Sequence, residues 1–348
     1  MQSAAEASKS STSRRRILFI AVTNILSIAC LAWVLHDANI GQLRYEIERL
    51  NWWWIAAAMA SDLLVYVWDA WRWTLLLTPV QPVSFWHTLR AVYVGLFANE
   101  VLPLRAGEVI RCFLQSRWNH VPLSISLATH LIERIFDGVW LMACLFLTIR
   151  MAPRVPKFVV DGGFVLGLLV VVTAIFLAIA MYWKEQTLDT LARAKWLGWV
   201  HALVKDLHLI GHSRYLYFAA LISLPYLLMQ VLPIYGVIRA YQQLDDLSLL
   251  AAFTMMVILR LGSVVPQAPG NLGAYQFLTV VSLLLFGVHH GLAKRFSLVL
   301  WAVITVPMLV VGFLALALTG VRMHTLHREA QAKMSAQAAP AVSGRQGS

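Results

Sequence analysis

Charged side chains are scarce in this sequence. Only 13% of its 348 residues are Asp, Glu, Lys or Arg, whereas 59% are hydrophobic. The mean hydropathy is +0.69. An ordinary soluble domain carries about 25% charged residues. The shortage of charge therefore excludes a soluble enzyme or binding module of this length and indicates a polytopic membrane protein.

Cysteines and metal-binding patterns are also rare. The three cysteines, Cys30, Cys112 and Cys144, lie far apart and form neither a CxxC pair nor a spacing typical of zinc ligands. The 11 histidines include no HExxH-like arrangement, and the sequence contains no Walker motif. We therefore expect no metal, no cofactor and no ATP hydrolysis, and we predict that the chain is not an enzyme.

Nine apolar segments make up most of the chain. They are residues 17–35, 52–77, 83–104, 123–149, 159–183, 214–238, 247–265, 273–290 and 296–320. Since about 20 apolar helical residues cross the hydrocarbon core of a bilayer, this pattern predicts an all-α fold, a polytopic helical membrane bundle. The transmembrane domain is expected at residues 17–321. It lies between polar, basic tails at residues 1–16 and 322–348, which we expect to be disordered.

The basic tails predict the topology. Arg14–Arg16 and the basic C-terminal tail both belong in the cytoplasm by the positive-inside rule, which requires an even number of crossings. One of the nine segments therefore does not cross. We assign residues 83–104 to a re-entrant hairpin, because this segment contains Arg90 and Glu100. About eight spans remain.

Residues 184–212 are not expected to span the membrane. Apolar residues such as Leu188 and Leu203 recur at helical spacing, and basic residues such as Lys184 and Lys205 interleave with them. This pattern is typical of an amphipathic helix that lies in the headgroup plane. An amphipathic connector packed on the protein gives the same pattern, and both interpretations remain open.

Two Pro/Gly-rich motifs interrupt the apolar stretches. The first motif is LPLRAGE at residues 102–108, and the second motif is PQAPGNLG at residues 266–273. Unpaired backbone groups are costly in hydrocarbon, so such breaks belong where they line a cavity enclosed by protein. Both motifs place a proline four residues before a glycine, which suggests an internal repeat. In transporters with repeated halves, broken helices meet near the midplane and direct their positive N-terminal ends at anionic groups.

Ionisable residues also lie within the apolar segments. They are Asp62, Asp69 and Arg72 at i, i+7 and i+10, His130, Glu133, Arg134 and Asp137 at i, i+3, i+4 and i+7, and Arg260. An ionised group at the bilayer centre costs about 2.5–3.5 kcal/mol, so such groups pair or face a polar pathway.

Two interpretations of these residues are open. They form either a hydrophilic track for a charged headgroup or internal ion-pair locks. In the locks, Glu133, Arg134 and Asp137 neutralise one another, and Asp69 pairs with Arg72. Asp62 has no basic residue one turn away, which favours the track for this residue.

Three sequence patterns together resemble a known family. They are Asn99-x-x-x-Pro103-x-Arg105-x-Gly107-Glu108-x-x-Arg111, then Glu133-Arg134-x-x-Asp137, then PGNLGAY at residues 269–275. In this order they resemble the lysylphosphatidylglycerol synthase transmembrane family, also called the flippase-like domain, from about Arg16 to Val321. Larger members that synthesise aminoacylated lipids carry a soluble transferase domain after the bundle. Only a short polar tail follows Val321 here, so we do not expect this chain to make such a lipid alone.

The resemblance implies a multi-spanning bundle with re-entrant segments that moves or handles amphiphilic lipids. It implies functional roles for Asn99, Arg105, Glu108, Arg111, Glu133, Arg134, Asp137, Gly270 and Gly273. The charge pattern adds Arg260 to this headgroup-binding or translocation path and adds Asp62, Asp69, Arg72 and His130 as a polar track. The family's second motif usually reads PGGLG and ends with Glu. Asn271 and Gln276 replace a Gly and that acid here, which argues against a mechanism that needs a carboxylate at this place.

The first functional hypothesis is a flippase-like protein that translocates or handles an anionic or isoprenoid-type lipid. The alternatives are a membrane-embedded lipid transferase and a non-catalytic partner of an enzyme of lipid-linked glycosyl transfer or of the hopanoid pathway. The expected partners are a phospholipid or isoprenoid lipid and a lipid-modifying enzyme, with no nucleic acid. We expect the protein in the cytoplasmic (inner) membrane of a bacterium, with both termini in the cytoplasm.

Overall fold

The computed structural model describes residues 25, 28–36, 40–102, 106–151, 157–182, 213–263 and 269–319. Residues 28–36 are helical. The further α-helices are α1 (Ile40–Glu48), α2 (Trp52–Leu77), α3 (Phe85–Val101), α4 (Gly107–Asn119), α5 (Leu123–Met151), α6 (Lys157–Tyr182), α7 (Arg214–Met229), α8 (Val231–Ala240), α9 (Leu249–Gly262), α10 (Ala274–Leu284) and α11 (His290–Ala317). These ranges contain no β-strand. The prediction of an all-helical bundle is confirmed.

The apolar segments predict most helix positions well. Helix α2 has the predicted bounds, because Asn51 ends the polar stretch before it and caps it by accepting a hydrogen bond from the Trp53 N–H at 3.1 Å. Helix α11 begins at His290 rather than at residue 296. Its first turns carry Lys294 and Arg295, and Arg295 lies 2.6 Å from Glu46 on α1. Helix α1 has no counterpart among the predicted segments, since it is short and polar.

Two helical stretches in the described ranges are long and apolar enough to cross a membrane by themselves. They are Arg214–Ala240, which comprises α7 and α8, and His290–Ala317. A third is obtained if Gly41–Glu48 and Trp52–Leu77, which meet at 90°, count as one broken span. The number of about eight spans stays a prediction.

The two motifs separate pairs of half-length helices. Around the first motif, α3 has 17 residues and α4 has 13. Around the second motif, α9 has 14 residues and α10 has 11. A full crossing needs about 20 residues, so each of these helices is too short to span alone. We call α3 with α4 the first hairpin and α9 with α10 the second hairpin.

Close backbone contact holds the first hairpin together. A Cβ atom on Gly107 would lie 1.9 Å from the carbonyl oxygen of Gly95 and 2.6 Å from Oδ1 of Asn99. Further along the hairpin, the Gln115 side chain donates to Thr88 at 3.1 Å. The pairing runs in opposite directions along α3 and α4, so the two helices are antiparallel. The glycine of the first motif is therefore required for packing.

Two hydrophobic clusters lie on either side of the polar residues. One contains buried side chains of α8, α9, α10 and α11, such as Ile258 and Phe296. The other contains side chains of α2, α3, α4 and α5, such as Trp73 and Phe113. Several sequence predictions fall outside the described residues. They are both tails, the helix at residues 184–212, Arg105, and residues 264–268, which include the end of the segment at 247–265 and the start of the second motif.

Candidate functional site

A cavity of about 220 Å³ lies between the two hydrophobic clusters. Both motifs reach its wall, the first through Leu102 and Glu108 and the second through Asn271. The other polar residues that line it are Asp62, Tyr66, Asp69, Asn99, Glu100, Arg111, Arg134, Tyr226, Gln230, Arg260, Ser263, Tyr275 and Thr305. The breaks in the helices thus lie beside a polar space enclosed by protein, where the free backbone groups of a break are tolerated.

The two hairpins contact each other at this cavity. The Asn271 side chain donates a hydrogen bond to Oε1 of Glu100 at 3.0 Å. The carbonyl oxygen of Gly270 accepts a hydrogen bond from Nε1 of Trp301 on α11 at 2.8 Å. Gly270 and Gly273 have φ angles of 76° and 89°, a region that glycine adopts at little cost. These glycines allow the second hairpin to turn onto the first.

Four ionisable side chains form a closed ring of alternating charge beside the cavity. Arg72 lies 2.9 Å from Asp69 and 3.5 Å from Glu133. Arg111 lies 3.3 Å from Asp69 and 3.4 Å from Glu133. None of the four side chains is more than 4% exposed. We call these residues the ion ring. Because each charge has two opposite neighbours, the ring compensates the cost of burying them.

Aromatic and polar neighbours complete the ion ring. The Arg72 guanidinium lies 4.3 Å from the centre of the Tyr226 ring and donates to Ser223 at 3.0 Å. The Arg111 guanidinium lies 4.4 Å from the centre of the Trp73 ring. Cation–π contacts of this kind stabilise desolvated arginines. The guanidinium groups of Arg72 and Arg111 are therefore bound by carboxylate, hydroxyl and aromatic groups of the protein.

His130 and Glu108 connect the ion ring to the first hairpin. Nε2 of His130 lies 2.8 Å from Glu108, and its Nδ1 lies 3.4 Å from Glu133. Asn99 donates a hydrogen bond to the other oxygen of Glu108 at 3.3 Å. The sequence-predicted residues Asn99, Glu108 and His130 thus form one chain of contacts that ends at Glu133.

Arg134 stands outside the ion ring. Its one ion pair among the described residues is with Asp137, at 3.7 Å, and 39% of its side chain is exposed. Asp137 itself is held by Arg72 at 2.5 Å. The predicted lock is therefore confirmed for Arg134 with Asp137 and wrong for Glu133, which pairs with Arg72 and Arg111. Glu133 and Arg134 are adjacent on α5 and point in different directions, so Glu133 pairs with α2 and α4 instead.

Arg260 also has few partners. Its Nε donates to Oε1 of Gln230 on α7. Within the part of the chain that the structure describes, it forms no ion pair with a carboxylate closer than 4 Å. Arg134 and Arg260 both line the cavity. The two arginines therefore present unused donors to the same enclosed space.

The predicted stripe on α2 is divided between two environments. Asp69 and Arg72 belong to the ion ring and form the predicted pair. Asp62 lies two turns earlier, on the cavity wall, and is 5% exposed. Asp62 has no basic residue one turn away in sequence, and it forms no ion pair closer than 4 Å within the described ranges.

Three residues that matter at the site carry little signal in the sequence. Gln230 carries one weak signal, because it is a polar amide within the otherwise apolar segment at 214–238. That position alone could have identified it as a candidate site residue. Tyr226 and Trp73 resemble the many other aromatic residues of the chain. Their contacts with Arg72 and Arg111 depend on helix packing, which residue spacing along one helix does not report.

The comparison with known proteins shows the family of this chain. The family model for the lysylphosphatidylglycerol synthase TM region matches residues 17–312. The chain belongs to this family.

Two relatives, each named a UPF0104 membrane protein from Methanothermobacter thermautotrophicus (strain Delta H), are similar along most of their length. One is 24% identical over 313 residues, covering 82% of this chain and 88% of the relative. The other is 18% identical over 309 residues, covering 80% and 89%. No solved structure matches the chain significantly.

The family patterns converge in space. Asn99, Glu108, Arg111 and Arg134 line the cavity, and Glu133 belongs to the ion ring. Gln276, where the family usually has Glu, accepts a hydrogen bond from the Gly273 N–H at 2.6 Å and so caps α10. A glutamate can make the same bond. The substitution therefore keeps the capping function of this position without its charge.

Proposed function

We propose that the protein translocates a membrane lipid between leaflets and that Arg134 and Arg260 bind the phosphate of its headgroup. The proposal rests on one observation, namely that these two arginines line the cavity with few protein partners. The proposed lipid is an anionic phospholipid or an isoprenoid phosphate. The phosphate is common to both classes.

The contrast with the ion ring supports this assignment. A guanidinium has five N–H donors and binds phosphate through two parallel hydrogen bonds. Arg72 and Arg111 each form ion pairs with both Asp69 and Glu133. Arg134 has a long contact with one carboxylate, and Arg260 has a neutral amide. Among the cavity-lining arginines that the structure describes, Arg134 and Arg260 therefore have the fewest carboxylate partners.

Helix ends add positive potential at the same place. Helix α4 begins at Gly107, next to the cavity residue Glu108, and α10 begins at Ala274, next to the cavity residue Tyr275. The N-terminus of a helix carries about half a positive elementary charge. Two such ends beside two arginines favour an anionic group over a neutral one.

The outer surface suits a lipid whose acyl chains stay in the bilayer. On α11, Val310, Phe313 and Leu314 are more than half exposed, with values of 53%, 56% and 54%. We propose that these surfaces face hydrocarbon, that the membrane is the cytoplasmic membrane of a bacterium, and that both termini lie in the cytoplasm.

Leaflet exchange in proteoliposomes tests the proposal. The purified full-length protein is reconstituted with phosphatidylglycerol that carries a fluorophore on an acyl chain, and exchange is followed by quenching of the outer leaflet. We expect exchange with the wild type and a loss of about tenfold or more with Arg134→Gln or Arg260→Gln, because each removes a charge-assisted hydrogen bond.

A matched control is available on the surface. Arg44 forms an exposed pair with Glu48, and its side chain is 84% exposed. Arg44→Gln should exchange lipid at the wild-type rate. If both cavity variants exchange lipid at the wild-type rate, Arg134 and Arg260 do not bind the headgroup phosphate. A polyprenyl phosphate used in place of the phospholipid decides between the two lipid classes.

A further inference from the structure

A buried carboxylate on the wall of the cavity has one oxygen without a protein partner. Asp62 is 5% exposed, and its Oδ2 has no hydrogen-bond partner among the described residues. Asp69, on the same helix, is held by Arg72 and Arg111. A buried acceptor without a partner is destabilising, and an apolar side chain at this place would avoid that cost. The carboxylate of Asp62 therefore fits a partner that the protein does not supply.

The surroundings of Asp62 limit what that partner can be. The ionisable groups that face it are Tyr66 on α2, Tyr93 on α3, Arg260 on α9 and Tyr275 on α10. Arg260 is the only cation among these described groups, and it lies beyond ion-pair distance. An acceptor in such a place is satisfied by a ligand hydroxyl or by a ligand ammonium group.

We infer that Asp62 accepts a hydrogen bond from the headgroup of the lipid whose phosphate binds Arg134 and Arg260. This inference rests on the proposed function. A lipid that satisfies both ends of the site is a phosphodiester with a hydroxyl or ammonium donor beyond its phosphate. A phosphodiester without a donor leaves the carboxylate unsatisfied, and so does a quaternary ammonium lipid, because its nitrogen has no N–H.

The cavity has room for such a headgroup. A cavity holds one water molecule once it offers about 10–15 Å³, and this cavity measures about 220 Å³. The volume therefore leaves room for a phosphate and a second polar group in a space that Asp62, Arg134 and Arg260 all line. A site that is built to hydrogen-bond a donor rejects an analogue without that donor strongly, because its own polar group is left without a partner.

Two matched pairs of lipids test the inference in proteoliposomes of the full chain. Phosphatidylglycerol is compared with phosphatidylmethanol, which is an anionic phosphodiester without a donor. Phosphatidylethanolamine is compared with phosphatidylcholine, which is its quaternary counterpart. All four carry the fluorophore on an acyl chain. We expect the donor-bearing lipid to exchange about tenfold faster than its partner in at least one pair, and the pair concerned identifies hydroxyl or ammonium as the donor.

Variants of Asp62 connect the selectivity to this residue. Asp62→Ala should slow the donor-bearing lipid to the rate of its partner and leave the partner unchanged. Asp62→Asn keeps an acceptor oxygen without the charge, so it should preserve selectivity for a hydroxyl and weaken selectivity for an ammonium group. Asp245→Asn is the control, since Asp245 lies in a loop with its side chain 61% exposed.

The outcomes separate the two proposals. Equal rates within both pairs in the wild type would overturn the role of Asp62 and leave phosphate binding intact. Selectivity that survives in a folded Asp62→Ala protein would overturn it as well. If Asp62→Ala does not fold, the wild-type lipid pairs and Asp62→Asn still decide. If the wild type exchanges no lipid, the proposed function fails, and this inference fails with it.

Discussion

Arg72 and Arg111 bind the same two carboxylates. Each contacts one oxygen of Asp69 and one oxygen of Glu133, so that four buried charges compensate one another. Arg72 belongs to α2, Arg111 to α4 and Glu133 to α5. The ion ring therefore joins three helices at one point beside the cavity, and two of its members, Asp69 and Arg111, reach the cavity wall.

Removal of one charge from the ion ring should destabilise the protein. We expect Arg72→Gln to lower the free energy of unfolding by about 3–5 kcal/mol, because it leaves buried carboxylates without one of their partners. Arg72→Gln combined with Glu133→Gln should recover much of that loss, since Arg111 and Asp69 still form a pair. Thermal unfolding of the detergent-solubilised variants measures both effects. A single variant as stable as the wild type would contradict the ring's structural role.

Arg134 should behave differently from Arg72. Its side chain is partly exposed to the cavity and makes one ion pair at 3.7 Å. We expect Arg134→Gln to change stability by less than about 1 kcal/mol, as for weak and partly solvated pairs. Glu133→Gln should not compensate for it, because Glu133 neutralises Arg72 and Arg111. Arg134→Lys should restore only part of the lipid exchange, since an ammonium group lacks the planar fork. Unfolding temperature and leaflet exchange, measured on the same samples, separate the two properties.

The sequence predicts local features of this site and misses the long-range ones. The bounds of α2 follow from its apolar run and from Asn51, which are both local. The pair of Asp69 with Arg72 follows from residues three apart on one helix. Asn271 and Glu100, in contrast, are separated by 171 residues and meet only after both hairpins have packed.

The partners of Glu133 illustrate the same limit. On α5 its sequence neighbour Arg134 is the obvious cation, and this choice is wrong. The arginines that it contacts come from α2 and α4, and only the packing of three helices brings them together. Residue spacing indicates which side chains share a face of one helix, but it carries no information on which other helix that face meets.

Gly107 should not tolerate a methyl group. A Cβ atom there would lie 1.9 Å from the backbone oxygen of Gly95, and a backbone atom cannot move aside without separating α3 from α4. We expect Gly107→Ala to lower stability by about 3 kcal/mol or more, at or above the upper end for overpacking.

The control is Gly162→Ala on α6, where an added Cβ meets no atom within 4 Å. That variant should stay within about 1 kcal/mol of the wild type. Equal stability of the two variants would contradict the close packing of the first hairpin.

Gly273 should be required for its backbone conformation at the cavity. Its φ angle of 89° and the hydrogen bond from its N–H to Gln276 define the start of α10. A β-branched residue is strained at such an angle, so Gly273→Val should displace the start of α10 and reduce lipid exchange by about tenfold or more.

Gly287 provides a matched control, because its φ angle is 78° and a Cβ atom there meets nothing within 4 Å. Gly287→Val should carry a similar strain of about 1–3 kcal/mol, but it lies away from the cavity wall and should leave exchange near the wild-type rate. Leaflet exchange and unfolding temperature of the two variants are measured together. If exchange falls equally in both, the loss comes from general destabilisation, and the position of Gly273 beside the cavity has no special importance.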